Sequence, residues 1–334
     1  MGLDKTPPTK DQIRSLLRYA ILAPSSHNTQ PWRFEITEGA VSLFADRTRA
    51  LPANDPNDRE LTISCGCALM NLRVAAAREG FDVSVDLSPA QDDGDRLAVV
   101  SFRPGETSVP GGEEWLSKTG LFLSMETRRT YRKRFEPREV PTVTLDALLA
   151  AASESGCELK LLESETQRHQ VAELVAEGDA IQWADPNWRR ELANWMHSRS
   201  QGDGLTVPGL LAPVVRAVVR MFNMGKSVGA KDHQLADESP VLAVVGTEGD
   251  SRSDWLAAGQ ALQKVLLVAH THGLQASYLN QPIQVASLRP KLQKLLDQET
   301  FPQILLRLGF PEDDSHAAPR RPLSDVYIVK KSNA

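Results

Sequence analysis

One stretch of sequence occurs twice in this chain of 334 residues. The segment GCALMNLRVAAAREGF at 66–81 aligns with GQALQKVLLVAHTHGL at 259–274, without a gap and with five identities in sixteen positions. The shared residues are Gly, Ala and Leu, and small residues on one helix face allow a partner helix to pack closely. The repeat therefore predicts two similar halves whose repeated helices pack against each other.

A second alignment indicates that the two halves differ in length. LLRYA at 16–20 aligns with LLAAA at 148–152 at an offset of 132, whereas the longer repeat has an offset of 193. The second half therefore contains extra chain between its first helix and its main helix, and a long insertion in a compact domain is commonly a lid or a disordered arm. The predicted boundaries are 1–105 for the first half, 106–120 for a polar linker, 121–330 for the second half, and about 183–237 for a lid-like insertion.

Local patterns predict individual helices and strands. Apolar residues at helical spacing predict a helix over 10–23 that ends before Pro24. A long apolar helix is predicted over 61–79, with Gly80 at its C-terminal end. The segment QILLRLGFP at 303–311 is almost continuously apolar, which is typical of a central strand covered on both faces.

Charge and composition exclude several functional classes. The formal net charge is -5, so no basic field favours nucleic acid or an anionic membrane as a partner. The longest apolar region, 207–224, is interrupted by Pro213, Arg216 and Arg220, whereas a membrane span needs about 20 mostly apolar residues. Three cysteines and an N-terminus without an apolar signal segment predict a cytoplasmic protein.

The loop APSSHNTQPWRF at 23–34 concentrates polar side chains beside a proline and a tryptophan. The side-chain amides of Asn28 and Gln30 each donate and accept hydrogen bonds, which suits the mixed edge of a flat heterocycle such as a flavin. Pro24 and Pro31 restrict the loop, so less entropy is lost on binding. The alternative is a simple helix end followed by a turn.

Two basic segments are candidate phosphate sites. In TRRTYRKRF at 127–135, Arg128 and Arg132 are four residues apart and would share a helix face, and arginine pairs with phosphate through charge-assisted hydrogen bonds. In APRRPL at 318–323, prolines flank the pair Arg320 and Arg321. The alternatives are a solvated basic turn for the first segment and a surface tail for the second.

These motifs together resemble the FMN-dependent nitroreductase family, which has an α+β fold and binds FMN between two subunits. The loop matches the family pattern PSS-x-N-x-QPW, and 128–132 matches its Arg-x-Ser-x-Lys/Arg segment with Thr130 in place of serine. The segment DRELTISCGCALMNLR at 58–73 is similar to the fused, pseudo-dimeric Acg-like branch. The resemblance covers nearly the whole chain outside the insertion and implies two tandem half-units that form an intramolecular pseudo-dimer.

The family's binding residues transfer to matching positions in this chain. The loop motif occurs once, in the first half, and the arginine segment occurs once, in the second half, so one complete site would draw on both halves. The end of the turn GLQASYLNQ, at 278–281, corresponds to the family's backbone clamp near flavin N5. The implied cofactor-binding residues are Pro24, Ser25, Ser26, Asn28, Gln30, Arg128, Arg129, Thr130, Arg132, Tyr278, Leu279, Asn280, Gln281, Arg320 and Arg321.

The resemblance implies an FMN-binding oxidoreductase that reduces small acceptors such as nitroaromatics or quinones, with NAD(P)H as the electron donor. The flavin N5 atom, rather than a side chain, would carry the chemistry. The alternative is a flavin-storage or sequestering protein whose lid blocks turnover. A fused pair of subunits favours a monomer. No metal is expected, because Cys65 and Cys67 face different sides of a helix and the HTH at 270–272 lacks further ligands.

Overall fold

The computed structural model describes residues 6–87, 94–104, 119–162, 164–297 and 299–330. Within these ranges the chain is an α+β protein built from two main sheets and a set of packed helices. The predicted linker at 106–120 lies outside the described residues, apart from its last two positions.

The first part of the chain has the order helix, two strands, helix, two strands. The first helix begins after Thr9, which forms a reciprocal capping box with Gln12. The elements are α1 Lys10–Ala20, β1 Trp32–Ile36, β2 Ala40–Ala45, α2 Arg59–Arg78, β3 Phe81–Asp86 and β4 Arg96–Pro104.

The remaining chain repeats this order and carries additional helices within it. Its elements are α3 Thr119–Thr127, α4 Thr142–Ser153, β5 Glu158–Leu161, α5 Glu165–Ala184, α6 Pro186–Asn194, β6 Met196–His197, β7 Leu205–Thr206, α7 Ala212–Met221, α8 Gly225–Asp237, β8 Val241–Thr247, α9 Arg252–Thr271, β9 Gln275–Tyr278, α10 Gln281–Gln284, α11 Arg289–Leu295, β10 Phe301–Gly309 and β11 Tyr327–Val329.

Apart from the additional strand β11, the two main sheets have the same strand order. The first runs β11-β1-β2-β4-β3, and the second runs β5-β8-β10-β9, with every neighbouring pair antiparallel except β11 and β1. β11 pairs in parallel with β1, with Tyr327 opposite Phe34, so the end of the chain adds a strand to the first sheet. β10 lies between β8 and β9 and is buried from its second residue onward, which confirms the predicted central strand.

The repeated segments form α2 and α9, which pack against each other. Each helix has 20 residues and is buried over most of its length. The two helix backbones approach each other closely at Gly66 and Gly259, which occupy equivalent positions in the sequence repeat. A Cβ on Gly66 would lie 2.9 Å from the Gly259 Cα, and a Cβ on Gly259 would lie 2.8 Å from the Gly66 Cα. Only glycine permits two helix backbones to approach this closely.

Buried amides fix the register of the same helix pair. The Gln263 Nε2 donates to the Asn71 Oδ1 at 2.6 Å, and both side chains are fully buried. The Asn71 Nδ2 in turn donates to the Tyr19 backbone carbonyl at 3.0 Å, which connects the pair to the end of α1. A shift in register would leave these buried polar groups without partners, so the network favours a single arrangement.

The additional helices α5 to α8 and the short β6–β7 sheet lie between β5 and β8. The insertion was predicted at about 183–237, which begins at the end of α5. The additional chain includes α5 as well, because no helix lies between β1 and β2. Trp188 in α6 donates from Nε1 to the Asn54 Oδ1 at 2.9 Å. The Glu191 carboxylate accepts from the backbone N–H groups of Ala53 and Asn54, each at 2.9 Å. These bonds attach α6 to the segment that leads into α2.

Helix α7 presents most of its apolar side chains to solvent. Val219 is buried, whereas Val214 and Met221 are exposed, as are the flanking Leu211 and Phe222. In the part of the chain that the structure describes, none of the helices combines the length and apolar character needed to cross a bilayer.

We expect Gly259→Ala to lower the free energy of unfolding by about 3 kcal/mol or more, because the added methyl would overlap the backbone of α2. The loss should appear although alanine is the better helix former by about 1 kcal/mol. Denaturant unfolding followed by circular dichroism measures it. Gly94→Ala is the control, because a Cβ there meets no atom within 4 Å. A change within about 0.5 kcal/mol for Gly259→Ala would contradict the close helix contact.

Candidate functional site

A cavity of about 580 Å³ lies where both parts of the chain and the additional helices meet. Its wall includes the polar loop, the start of α2, the arginine segment and the end of β9, together with side chains from α5, α6 and α8. The structure brings thirteen of the fifteen predicted binding residues to this wall. They are Pro24, Ser25, Ser26, Asn28, Arg128, Arg129, Thr130, Arg132, Tyr278, Leu279, Asn280, Gln281 and Arg320.

The polar loop has an unusual backbone. His27, Asn28 and Gln30 have φ angles of 49°, 54° and 52°, in the left-handed region that residues other than glycine rarely adopt. The Ser25 hydroxyl accepts from the Gln30 backbone N–H at 2.9 Å and supports this geometry from within the loop. Burial lowers the pKa of His27 to about 4, so its imidazole is neutral at pH 7. Strain of this kind is commonly retained at functional sites.

Two predicted residues, Gln30 and Arg321, do not line the cavity. The Gln30 side chain is fully buried, donates to the Gly202 carbonyl at 2.9 Å and accepts from the Arg321 backbone N–H at 2.9 Å. The Arg321 guanidinium donates to the Gln30 carbonyl at 3.1 Å and lies 3.6 Å from the Asp46 carboxylate. Both residues therefore support the loop from behind, because their polar atoms already have partners on the side away from the cavity.

Asn28 and Arg320 line the cavity but also bind backbone carbonyls. The Asn28 Nδ2 donates to the Pro319 carbonyl at 3.1 Å. Arg320 donates from Nε to the Ile21 carbonyl and from a terminal nitrogen to the Leu22 carbonyl, both at 2.8 Å. These carbonyls follow α1, so Arg320 caps the end of that helix. In this arrangement the two residues shape the cavity by joining the loop to the C-terminal segment.

Arginines give one side of the cavity a concentrated positive charge. Arg128 is 6% exposed, and its Nε has no partner among the described residues. Burial lowers the pKa of the Arg128 guanidinium. Burial, with Arg128 and Arg129 nearby, lowers the pKa of Arg320 to about 9. Arg132 also lines this wall. A buried cation without an anionic partner is costly, so the geometry favours an anionic ligand here.

The segment from Tyr278 to Gln281 lies at the end of β9, beside β10. The Asn280 Oδ1 accepts from the Leu305 backbone N–H at 2.9 Å, which holds the segment against the central strand. The Tyr278 hydroxyl is buried and has no partner among the described residues. Burial raises the pKa of Tyr278, so the phenol stays protonated and can donate to a ligand.

Glu60 is a cavity residue that the sequence analysis did not identify. Its side chain is 2% exposed and accepts from the Ser26 hydroxyl at 2.5 Å, the Asn280 Nδ2 at 3.2 Å and the Gln284 Nε2 at 2.9 Å. The carboxylate therefore connects the polar loop to Asn280 and to α10. Its partners lie far apart in the chain, so sequence spacing offers no signal of this role.

A pair of carboxyl groups, also missed from sequence, lines the cavity from α5 and α8. The Gln281 Nε2 donates to both oxygens of Asp179 at 3.3 Å and to the Asp232 Oδ2 at 2.9 Å. Burial, followed by the charge of Asp232, raises the pKa of Asp179 to about 7. Burial also raises the pKa of Asp232. The pair therefore retains a proton close to neutral pH.

The family model for the nitroreductase family matches residues 2–47 and 125–310. The chain belongs to the nitroreductase family. Both matched segments contribute to the cavity, through the polar loop in the first and the arginine segment and β9 in the second. Glu60 lies outside both matched segments. Its hydrogen-bond partners lie inside them, with Ser26 in the first and Asn280 and Gln284 in the second.

Two curated relatives from Mycobacterium tuberculosis match almost the whole chain. A protein named "Putative NAD(P)H nitroreductase Rv3131" is 30% identical over 96% of this chain and 92% of its own length. A protein named "Putative NAD(P)H nitroreductase acg" is 29% identical over 97% of this chain and 98% of its own length. Among solved structures, the FMN-dependent nitroreductase NfnB from Mycobacterium smegmatis, in complex with NADPH, is 14% identical, with a TM-score of 0.43 over 64% of this chain and 98% of that chain.

We expect Asp179→Asn to weaken the dependence of stability on pH. A carboxyl group whose pKa rises on folding, here from 3.8 to about 7, binds its proton more tightly when folded, so the wild-type chain loses stability as pH rises across this range. Asparagine cannot ionise, so the variant lacks this loss. Between about pH 5 and pH 7.5, we expect the unfolding free energy of Asp179→Asn to fall by about 2 kcal/mol less than that of the wild type.

Urea unfolding at several pH values measures this difference. Asp146→Asn, at an exposed position on α4, is the matched control and should follow the wild-type curve. Parallel pH curves for the wild type and Asp179→Asn would show that the Asp179 carboxyl does not hold its proton.

Proposed function

We propose that this chain is an FMN-binding oxidoreductase that uses NAD(P)H to reduce small acceptors such as nitroaromatics or quinones. Membership in the nitroreductase family supports the class of reaction, and the names of the mycobacterial relatives support the donor. The observation that carries the proposal is the buried Arg128, whose Nε has no hydrogen-bond partner in the described part of the chain, in a cavity that the polar loop also lines.

The residues present fit a flavin mononucleotide. Arg128 and Arg132, with the Thr130 hydroxyl, would hold the phosphate, since arginine binds phosphate oxygens through charge-assisted hydrogen bonds. The polar loop and the segment 278–281 would hold the ring from opposite halves of the chain. When bound, FMN supplies electron and hydride transfer at N5, and the protein supplies binding, orientation and exclusion of water.

Trp183 and Trp188 provide apolar cover on the side of the additional helices.

We also propose that the chain contains two nitroreductase-like halves and acts as a monomer. The matching strand order of the two sheets and the pairing of α2 with α9 support this view. The contact between Gly66 and Gly259 brings equivalent positions of the repeat together, as happens at the two-fold axis of a dimer. The three cysteines are free and buried, which fits a reducing compartment such as the cytoplasm.

A second candidate is a protein that stores or sequesters flavin. It is favoured by the contribution of α5, α6 and α8 to the cavity wall, because these additional helices would act as a lid. The hydrogen bonds from Trp188 and Glu191 to the segment before α2 would hold this lid in place. A lid that stays closed would retain flavin and exclude a nicotinamide donor.

We expect Arg128→Ala to weaken FMN binding by about 10- to 100-fold, because a hydrogen bond to a charged group contributes about 1.5–3 kcal/mol. Arg132→Ala should act in the same direction. Fluorescence titration of the flavin-free protein with FMN measures the dissociation constants. Arg134→Ala is the control, since Arg134 pairs with Glu238 at 3.1 Å and does not line the cavity. Unchanged affinity in both cavity variants would contradict the phosphate assignment.

An anaerobic absorption spectrum before and after NADPH addition distinguishes the two candidate functions. Loss of the oxidised flavin band at about 450 nm within seconds is the result expected of an oxidoreductase. A stable band that dithionite still bleaches would indicate a flavin-holding protein with a closed lid. Failure to take up any FMN would contradict both functions.

A further inference from the structure

A second cluster of chemically active side chains lies on α5 and α8, apart from the side chains that line the cavity. His169 and Glu173 are four residues apart on α5, and His233 and Asp237 are four residues apart on α8. Residues at this spacing share one helix face. The two faces meet, because α5 and α8 pack against each other.

The donor atoms of this cluster have the spacing of metal ligands. The His169 Nδ1 and the His233 Nδ1 both lie 3.3 Å from the same Oδ2 of Asp237, and the ligand atoms of all three residues lie within 4.8 Å of one another. Zinc binds histidine nitrogen and carboxylate oxygen at about 2.0–2.1 Å in a tetrahedron, whose ligands are then about 3.3 Å apart. Each histidine is therefore separated from Asp237 by one edge of such a tetrahedron.

We propose that His169, His233 and Asp237 form a divalent transition-metal site, for which Zn²⁺ is the best-suited ion. Two imidazoles and one carboxylate are typical zinc ligands, and water would complete the tetrahedron. The opposite nitrogen of His169, Nε2, lies 3.8 Å from the Glu173 Oε1. This distance is too long for a hydrogen bond, so Glu173 adds negative charge beside the site without fixing the orientation of the ring.

The site would join the two helices that carry the acidic wall of the cavity. Asp232 immediately precedes His233 on α8, and Asp179 lies on α5, the helix that carries His169. A metal bound to His169 on one side and to His233 and Asp237 on the other would stabilise the packing of α8 against α5. This inference does not depend on which cofactor or substrate occupies the cavity.

Zinc titration of the untagged, chelator-treated full chain tests the proposal. Isothermal titration calorimetry should give a saturable phase with one Zn²⁺ per chain. Co²⁺ used in place of zinc should give visible absorption bands typical of tetrahedral coordination. His233→Ala and Asp237→Asn should each lose the saturable phase and the cobalt bands. His272→Ala, an exposed histidine on the C-terminal side of α9, is the control and should retain both.

Circular dichroism of the variants distinguishes loss of ligands from loss of structure. His169→Asn keeps a polar side chain at an exposed position, so it should fold like the wild type and still lose zinc binding. Unchanged zinc binding in His169→Asn and His233→Ala, or no saturable binding to the wild type, would overturn the proposal.

Hydrogen exchange tests the effect of the metal on the helix pair. Zinc should slow amide exchange in α5 and α8 of the wild type, with no change in His233→Ala. Binding without any change of exchange in these helices would overturn the inference that the metal clamps α5 to α8.

Discussion

The contact between Gly66 and Gly259 fixes the relative position of α2 and α9, on which the two sheets depend. Because a Cβ on either residue would lie within 3 Å of the opposite Cα, the two backbones meet without intervening side chains. α2 packs against strands of the first sheet and α9 against strands of the second. The buried pair of Asn71 and Gln263 adds a polar bond that defines the register. One close contact between repeated helices thus orients both sheets.

The cavity depends on this orientation, because its wall comes from parts of the chain far apart in sequence. Glu60, near the start of α2, accepts hydrogen bonds from Ser26 and from Asn280 and Gln284. A small rotation of α2 relative to α9 would separate these groups. The additional helices complete the wall and bring carboxyl groups close to a region that is otherwise rich in arginine. Charges of both signs therefore lie around one cavity, where burial strengthens their mutual influence.

The parts of the site that are continuous in the chain were predictable from the sequence. The polar loop and the arginine segment were identifiable because their residues lie within a few positions of each other. The roles of Gln30 and Arg321 were less predictable, because a motif specifies residue types and does not specify which side of the loop a side chain occupies. Glu60 and Asp179 were missed for a related reason: each acquires its partners only through packing of distant elements.

The sequence by itself determined the repeat, the main helices, the covered central strand and the chemistry available in the loop. These properties follow from local periodicity and residue type, which act over a few positions. Only the tertiary structure decided the pairing of β11 with β1, the burial of Arg128 with its Nε unpaired among the described residues, and the raised pKa of Asp179. Desolvation and through-space charge produce such features, and both depend on neighbours that the order of residues does not reveal.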